Sequence, residues 1–203
     1  MTVISNGTNL INNGALDSGV PVGKMTLLAT QTASGSSTIS FTSGINSTYD
    51  TYEFRFINIH PATNGAGFGF QVDTGTNTNY NHTVTSTAFR AYNLEGGGDS
   101  GVSYVTGEDQ QQDTGLIKLT AGGTIGADND QSGNGTLTIY APSDTTFVKH
   151  FIARSSASHG GDYATDFHKA GYVNQTAALT RVQFKMTSGN IDSGIIKLYG
   201  IGG

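Results

Sequence analysis

The stretch "STYDTYEFRFINI", Ser47 to Ile59, decides how this chain is read. Tyr52, Phe54 and Phe56 share one side of an extended segment and Glu53 and Arg55 the other, a period of two that fits a half-buried β-strand. Ile57 and Ile59 then carry the apolar phase across. One inserted residue produces such a slip, so the pattern predicts a β-bulge at Phe56-Ile57, or else a strand end buried on both faces. Either way the three aromatics are core anchors and Pro61 ends the strand.

Similar runs fill the chain from Met25 onward, each rich in β-branched or aromatic residues and bounded by Gly, Asn, Ser or Asp. Before Tyr52 they span Met25 to Thr32 and Ser37 to Thr42, and after it Phe68 to Thr74, His82 to Tyr92, Gly115 to Leu119 and Thr136 to Ala141. The last are Thr146 to Ser156, Phe167 to Val173, Arg181 to Met186 and Gly194 to Ile201. "RVQFKM" alternates cleanly, with Val182, Phe184 and Met186 inward. "GIIKLYGI" is apolar on both sides, which suits a subunit contact or a strand under a loop. No window keeps a helical period. The fold expected is all-β, a jelly-roll-like antiparallel β-sandwich over residues 25–203, preceded by an extended N-terminal arm, residues 1–24. Three segments read as long irregular loops: Asn93 to Thr114, Gly122 to Gly135 and Ser156 to Phe167.

Composition narrows the function classes. With no cysteine in 203 residues, disulfides, thiolate metal sites and a cysteine nucleophile are all excluded. A net charge of -5 and scattered Lys and Arg argue against nucleic-acid binding. No apolar run of about 18 residues spans a membrane, and the first residues lack the basic and apolar regions of a signal peptide. The protein is therefore expected to stay inside the cell that makes it, or to leave without secretion.

The chemical motifs are weak. "GGGDSG", Gly96 to Gly101, resembles the nucleophile turn of chymotrypsin-like proteases, but nothing else of that constellation is present, so a glycine-rich loop is the better reading. Asp128, Asp130 and Ser132 copy the first half of a calcium loop, yet Ile139 stands where the closing acid belongs, and an ordinary turn outweighs it. His159, Asp162 and His168 share one segment without metal-ligand spacing. His150 reads as a half-buried strand histidine. Glu53, Glu95 and Glu108 offer no evident hydrolytic pair. No catalytic residue, metal or cofactor is expected. Tyr80, Tyr92, Tyr104 and Tyr163 fall near loop tips, where an aromatic face suits the apolar side of a sugar ring.

"INNGALDSGVPVG", "MTLLATQTASGSSTISFTSGINSTYDTYEFRFINIHPAT", "NTNYN", "FVKHFIARS" and "VQFKMTSGNIDSGIIKLYGI" together resemble virion structural proteins of tailed bacteriophages, marine and cyanobacterial ones in particular. The resemblance implies a jelly-roll module of a virion and maps no functional residue. It leads to an expected non-enzymatic capsid decoration or cement protein, assembled in the host cytoplasm. The alternative is a tail-fibre or receptor-binding module recognising host surface glycan. Expected partners are further copies of the chain, most simply as a trimer, and the major capsid protein. Val3, Ile4, Leu10, Ile11, Leu16, Val20 and Val22 make the arm more apolar than a solubilising tail, so the arm is expected to be the assembly tether, contacting a neighbouring subunit or the shell.

Overall fold

The computed structural model describes residues 2–5, 8–12, 15–16, 25–121 and 125–202. Among them the regular elements are strands, with a 3-10 turn at Thr106–Glu108. No helix is long and apolar enough to cross a membrane among these residues.

Three short strands come first: β1 (Val3–Ser5), β2 (Thr8–Asn12) and β3 (Ala15–Leu16). They form an antiparallel sheet of their own, with Ser5 opposite Thr8 and Asn12 opposite Ala15. The expected extended arm is thus folded back on itself. Asn-Gly, which favours two-residue hairpins, occurs twice in this part of the sequence. Of the expected tether residues, Ile4 is exposed and Val3 and Ile11 are half-buried, while Leu10 and Leu16 fall in β2 and β3. Val20 and Val22 lie outside the described residues.

The body is a two-sheet antiparallel β-sandwich. Its strands are β4 (Met25–Ser36), β5 (Ile39–Phe41), β6 (Thr51–Pro61), β7 (Phe68–Thr74), β8 (Val84–Leu94), β9 (Ser100–Tyr104) and β10 (Gln110–Asp113). They continue as β11 (Ile117–Lys118), β12 (Gly133–Tyr140), β13 (Lys149–His159), β14 (Tyr163–Val173), β15 (Leu179–Met186) and β16 (Ile191–Ile201). The larger sheet runs β10-β8-β14-β13-β12-β6-β16-β4, with β9 also paired to β8, and the smaller runs β11-β7-β15-β5. Nine strands therefore face four, so part of the larger sheet's inner face needs another cover.

The bulge expected in β6 is present, one residue further on. Phe56 pairs with Gly135 and Ile59 with Gly133, three residues against two, and Asn58 adopts φ 50°. The extra residue keeps Ile59 on the same buried face as Tyr52, Phe54 and Phe56 and leaves Ile57 exposed. The two-sided burial suggested by the sequence is thus resolved in favour of one face. Between the sheets Phe184 of β15 packs against Phe41, Phe54, Phe68 and Phe70, with ring centroids 5.2–6.4 Å apart. Val182, Phe184 and Met186 are buried as their alternation predicts. In β16, Ile196 and Leu198 face the core, and the outward Tyr199 lies 5.0 Å beneath the Arg55 guanidinium.

Two of the long loops are in fact largely strand. Asn93 to Thr114 contains β9 and β10, whose Ser, Gly and Gln content hides them from a hydrophobicity pattern. Ser156 to Phe167 is the β13–β14 hairpin, closed by Gly160, Gly161 and Asp162, with Asp162 at φ 60°. A three-residue connection ending in a left-handed residue is a common hairpin solution. The third segment, Gly122 to Gly135, is irregular until β12 begins, with residues 122–124 outside the described set. His150 and Ile152 point outward and are exposed, because Lys149, Phe151 and Ala153 take the inward phase of β13.

Candidate functional site

Following the inward side chains along β8 and β14 leads from the core to an open recess. On β8 the order is Val84, Ser86, Ala88, Arg90, Tyr92, and on β14, read in the opposite direction, Val173, Gly171, Lys169, Phe167, Thr165, Tyr163. Val84 and Val173 lie in the main core. Next, the segment from Val105 to Ala121 covers the sheet. Val105 and Ala121 pack on Ala88 and Phe167, the Gln110 N–H donates to Ser86 Oγ, and Ser155 Oγ donates to the Leu119 carbonyl. Under this cover Lys169 is almost fully buried, and its Nζ donates to the Glu108 carbonyl at 2.6 Å. Burial lowers its pKa to about 8, with the Glu108 carboxylate acting in the opposite direction. Glu108 itself is buried and pairs with Lys118 at 3.1 Å.

Beyond Ala88 and Phe167 the cover ends. A recess of about 230 Å³ opens, lined by Arg90, Tyr92, Asp99, His159, Tyr163 and Thr165. Cross-strand register brings these groups together: Tyr92 sits opposite Thr165, and Tyr163 opposite His159. The Tyr92 and Tyr163 rings meet edge to face at 6.0 Å, and His159 meets Tyr163 at 5.6 Å. Tyr163 Oη donates to Asp99 Oδ2 at 2.9 Å across the β8–β9 turn. That bond, first among the causes, raises the Tyr163 pKa and keeps it a phenol. The two turns are tied together by the Glu95 N–H donating to the Asp162 carbonyl.

His159 is held in a defined state. Its Nδ1 accepts from the Gly161 N–H at 2.9 Å, so the neutral ring carries its proton on Nε2. Burial, and then the positive charge of Arg90, lower its pKa, which favours that neutral form. The Arg90 guanidinium lies 5.0 Å from the Tyr92 ring centre. Its Nε is buried with no hydrogen-bond partner among the described residues, a deficit that typically costs about 1–3 kcal/mol. The recess thus offers two aromatic faces and an edge of donors and acceptors. Its one carboxylate, Asp99, is engaged by the Tyr163 phenol.

Two of the four tyrosines chosen for sugar stacking, Tyr92 and Tyr163, meet here. Tyr104 stands on the opposite face of the sheet beside Phe89, bonded to Asp109. Tyr80 is no loop-tip residue. It is buried, and its N–H donates to the buried Asp73 carboxylate, which also accepts from Thr74 and sits 3.1 Å from His82. His159 and His168 also part company, since His168 points outward, stacks on Phe89 at 4.7 Å and contacts Asp166. No group of three or more His, Asp or Glu side chains is arranged for a metal ion among the described residues. The Asp128 to Gln131 stretch is a turn, with Gln131 Oε1 accepting from the Asp128 N–H. Residues missed from sequence are Arg90 and Asp99. For Arg90 a signal existed, because it holds the inward phase of "TVTSTAFRAY" where an apolar side chain is expected.

A second recess adjoins this one and is lined by Glu95, Asp128, Asp130 and Asp162 together with His159 and Tyr163. Another at the β6 bulge, by Asn58, His60, Asp130 and Asp192, has no aromatic face, and one on the outer face by Tyr140, Ile152 and Tyr172 is mainly apolar. The chain matches no family model, no curated protein and no solved structure.

Proposed function

We propose that this chain is a non-enzymatic recognition module of a tailed-phage virion, binding a host surface glycan in the recess of Arg90, Tyr92, His159 and Tyr163. One observation carries the recognition part: the tyrosines occupy inward-facing strand positions and yet are only half-buried, at a point of the inner face where the cover stops. Aromatic faces flanked by fixed polar groups are what a sugar ring, apolar on its faces and hydroxylated at its rim, requires. The virion setting rests on the sequence resemblance. The test is a glycan array followed by calorimetry with wild type, Y92A and Y163A. Each substitution should weaken binding at least tenfold, about 1.4 kcal/mol, with an unchanged far-UV spectrum. Retention of no glycan, or full affinity in Y163A, overturns the reading.

A capsid decoration role is favoured by a different observation. Among the described residues β1, β2 and β3 pair only with each other, so the N-terminal sheet is hydrogen-bonded as a unit apart from the body. Such a unit suits a tether seated on the major capsid protein. Exposed Leu27, Phe89, Tyr140 and Ile152 on the outer face suit a symmetric oligomer, a trimer being the simplest. Deletion of Met1 to Gly23 should leave the β spectrum intact and abolish attachment to particles lacking the protein. Attachment at full occupancy eliminates the tether, and a monomer mass by light scattering eliminates the oligomer.

A further inference from the structure

Resting on the glycan reading of the recess, we infer that its ligand is an acidic glycan, one whose sugar carboxylate is held by the Arg90 guanidinium while its rings stack on Tyr92 and Tyr163. A neutral sugar needs aromatic faces and hydroxyl partners, which Tyr92, Tyr163, Asp99 and His159 already provide. It does not need an arginine.

Arg90 is otherwise without a task. No carboxylate lies within ion-pair distance of it among the described residues, although six other Arg, Lys or His side chains of the body do have such partners: Arg55, Arg154, Lys118, His60, His82 and His168. The acid that shares the recess, Asp99, is turned to the Tyr163 hydroxyl instead. Arg90 comes from a regular ladder position opposite Phe167, so its direction is set by β8 rather than by a movable loop. The Tyr92 ring lies against Arg90, its centre 5.0 Å from the guanidinium carbon. A planar fork of donors, fixed in direction and lacking an acceptor, matches a carboxylate in geometry and in charge. The His159 Nε2–H supplies a further donor at the same rim.

The surroundings restrict the class further. Glu95, Asp128, Asp130 and Asp162 line the adjoining recess on the other side of His159 and Tyr163. A polymer with a charge on every residue would run into those carboxylates. The ligand is therefore a glycan in which an isolated acidic residue, a uronic or nonulosonic acid, sits among neutral sugars.

The experiment uses the full chain and paired probes: oligosaccharides bearing a single glucuronic or sialic acid residue, and the same oligosaccharides with the carboxyl reduced to the alcohol. Calorimetry should give at least tenfold tighter binding of an acidic member than of its reduced partner. R90Q should erase that difference, and R90K, which retains charge without the fork, should restore part of it. Because the paired probes interrogate the wild-type protein, a misfolded variant does not blunt the test. Equal binding of acidic and reduced probes, lost in Y163A, overturns the acidic specificity and leaves the glycan reading standing. Binding of neither probe to the chain overturns both.

Discussion

Lys169 gives a pH dependence whose sign and size follow from its position. Folding places its ammonium under the Val105 to Ala121 segment and lowers its pKa from 10.5 to about 8. The folded protein thus releases this proton before the unfolded chain does. Across the window from about 8 to 10.5 the unfolded state binds more protons, and stability rises with pH. From those two values, raising the pH from about 7 to about 9.5 adds roughly 2 kcal/mol from this residue alone. Other titrating groups are shared with K169M, so the wild type minus K169M difference isolates the contribution. Urea unfolding of both proteins at several pH values in that range is the assay. Wild type should gain on K169M by about 2 kcal/mol, most steeply above pH 8. A flat difference would mean that Lys169 keeps its proton when folded, and a falling one would reverse the linkage. Either refutes the reasoning.

The remaining expectations concern the framework. F184A removes the ring shared by four other phenylalanines and should cost about 3–5 kcal/mol, seen as a large fall in the urea midpoint. A cost below about 1 kcal/mol would contradict the packing described. G171A should destabilise by roughly 1–3 kcal/mol, because a Cβ there would meet the Thr85 carbonyl at 2.5 Å and Phe151 at 2.9 Å, and thermal melting reads this directly. Asp73 is buried, which alone would raise its pKa, yet N–H donors from Tyr80 and Thr74 and the neighbouring His82 bring it below 3.8. Its contribution is present above that pH and lost as the pH falls through the folded value, so acid titration should erode wild type faster than D73N.

How much was legible in the sequence depended on what carried the signal. Alternating aromatics marked β6 and β15 because packing between sheets requires large apolar groups at every second residue. The bulge in β6 was visible for the same reason, since a strand buried on one face cannot change phase without an extra residue. Strands β9 and β10 left no such mark, as they lie at the edge of the larger sheet and are held by backbone bonds to β8, which any side chain permits. Tyr92 and Tyr163 were picked out by residue type, but so were Tyr80 and Tyr104. Only register separates them, because neighbours across strands are far apart in the chain. Asp99 enters the recess through a turn whose glycines, Gly97 and Gly98 at φ 78° and 90°, conceal where it will point.

The unequal size of the two sheets has a consequence for how such a protein can change. Arg90, Tyr92, His159 and Tyr163 are fixed by ladder hydrogen bonds of β8, β13 and β14 that do not depend on side-chain identity, and they stand outside the aromatic core that holds the sheets together. Exchanging them redraws the recess while Phe184 and its neighbours keep the fold. If the recess binds a ligand as proposed, its specificity can change at these four positions with little risk to the framework that presents them.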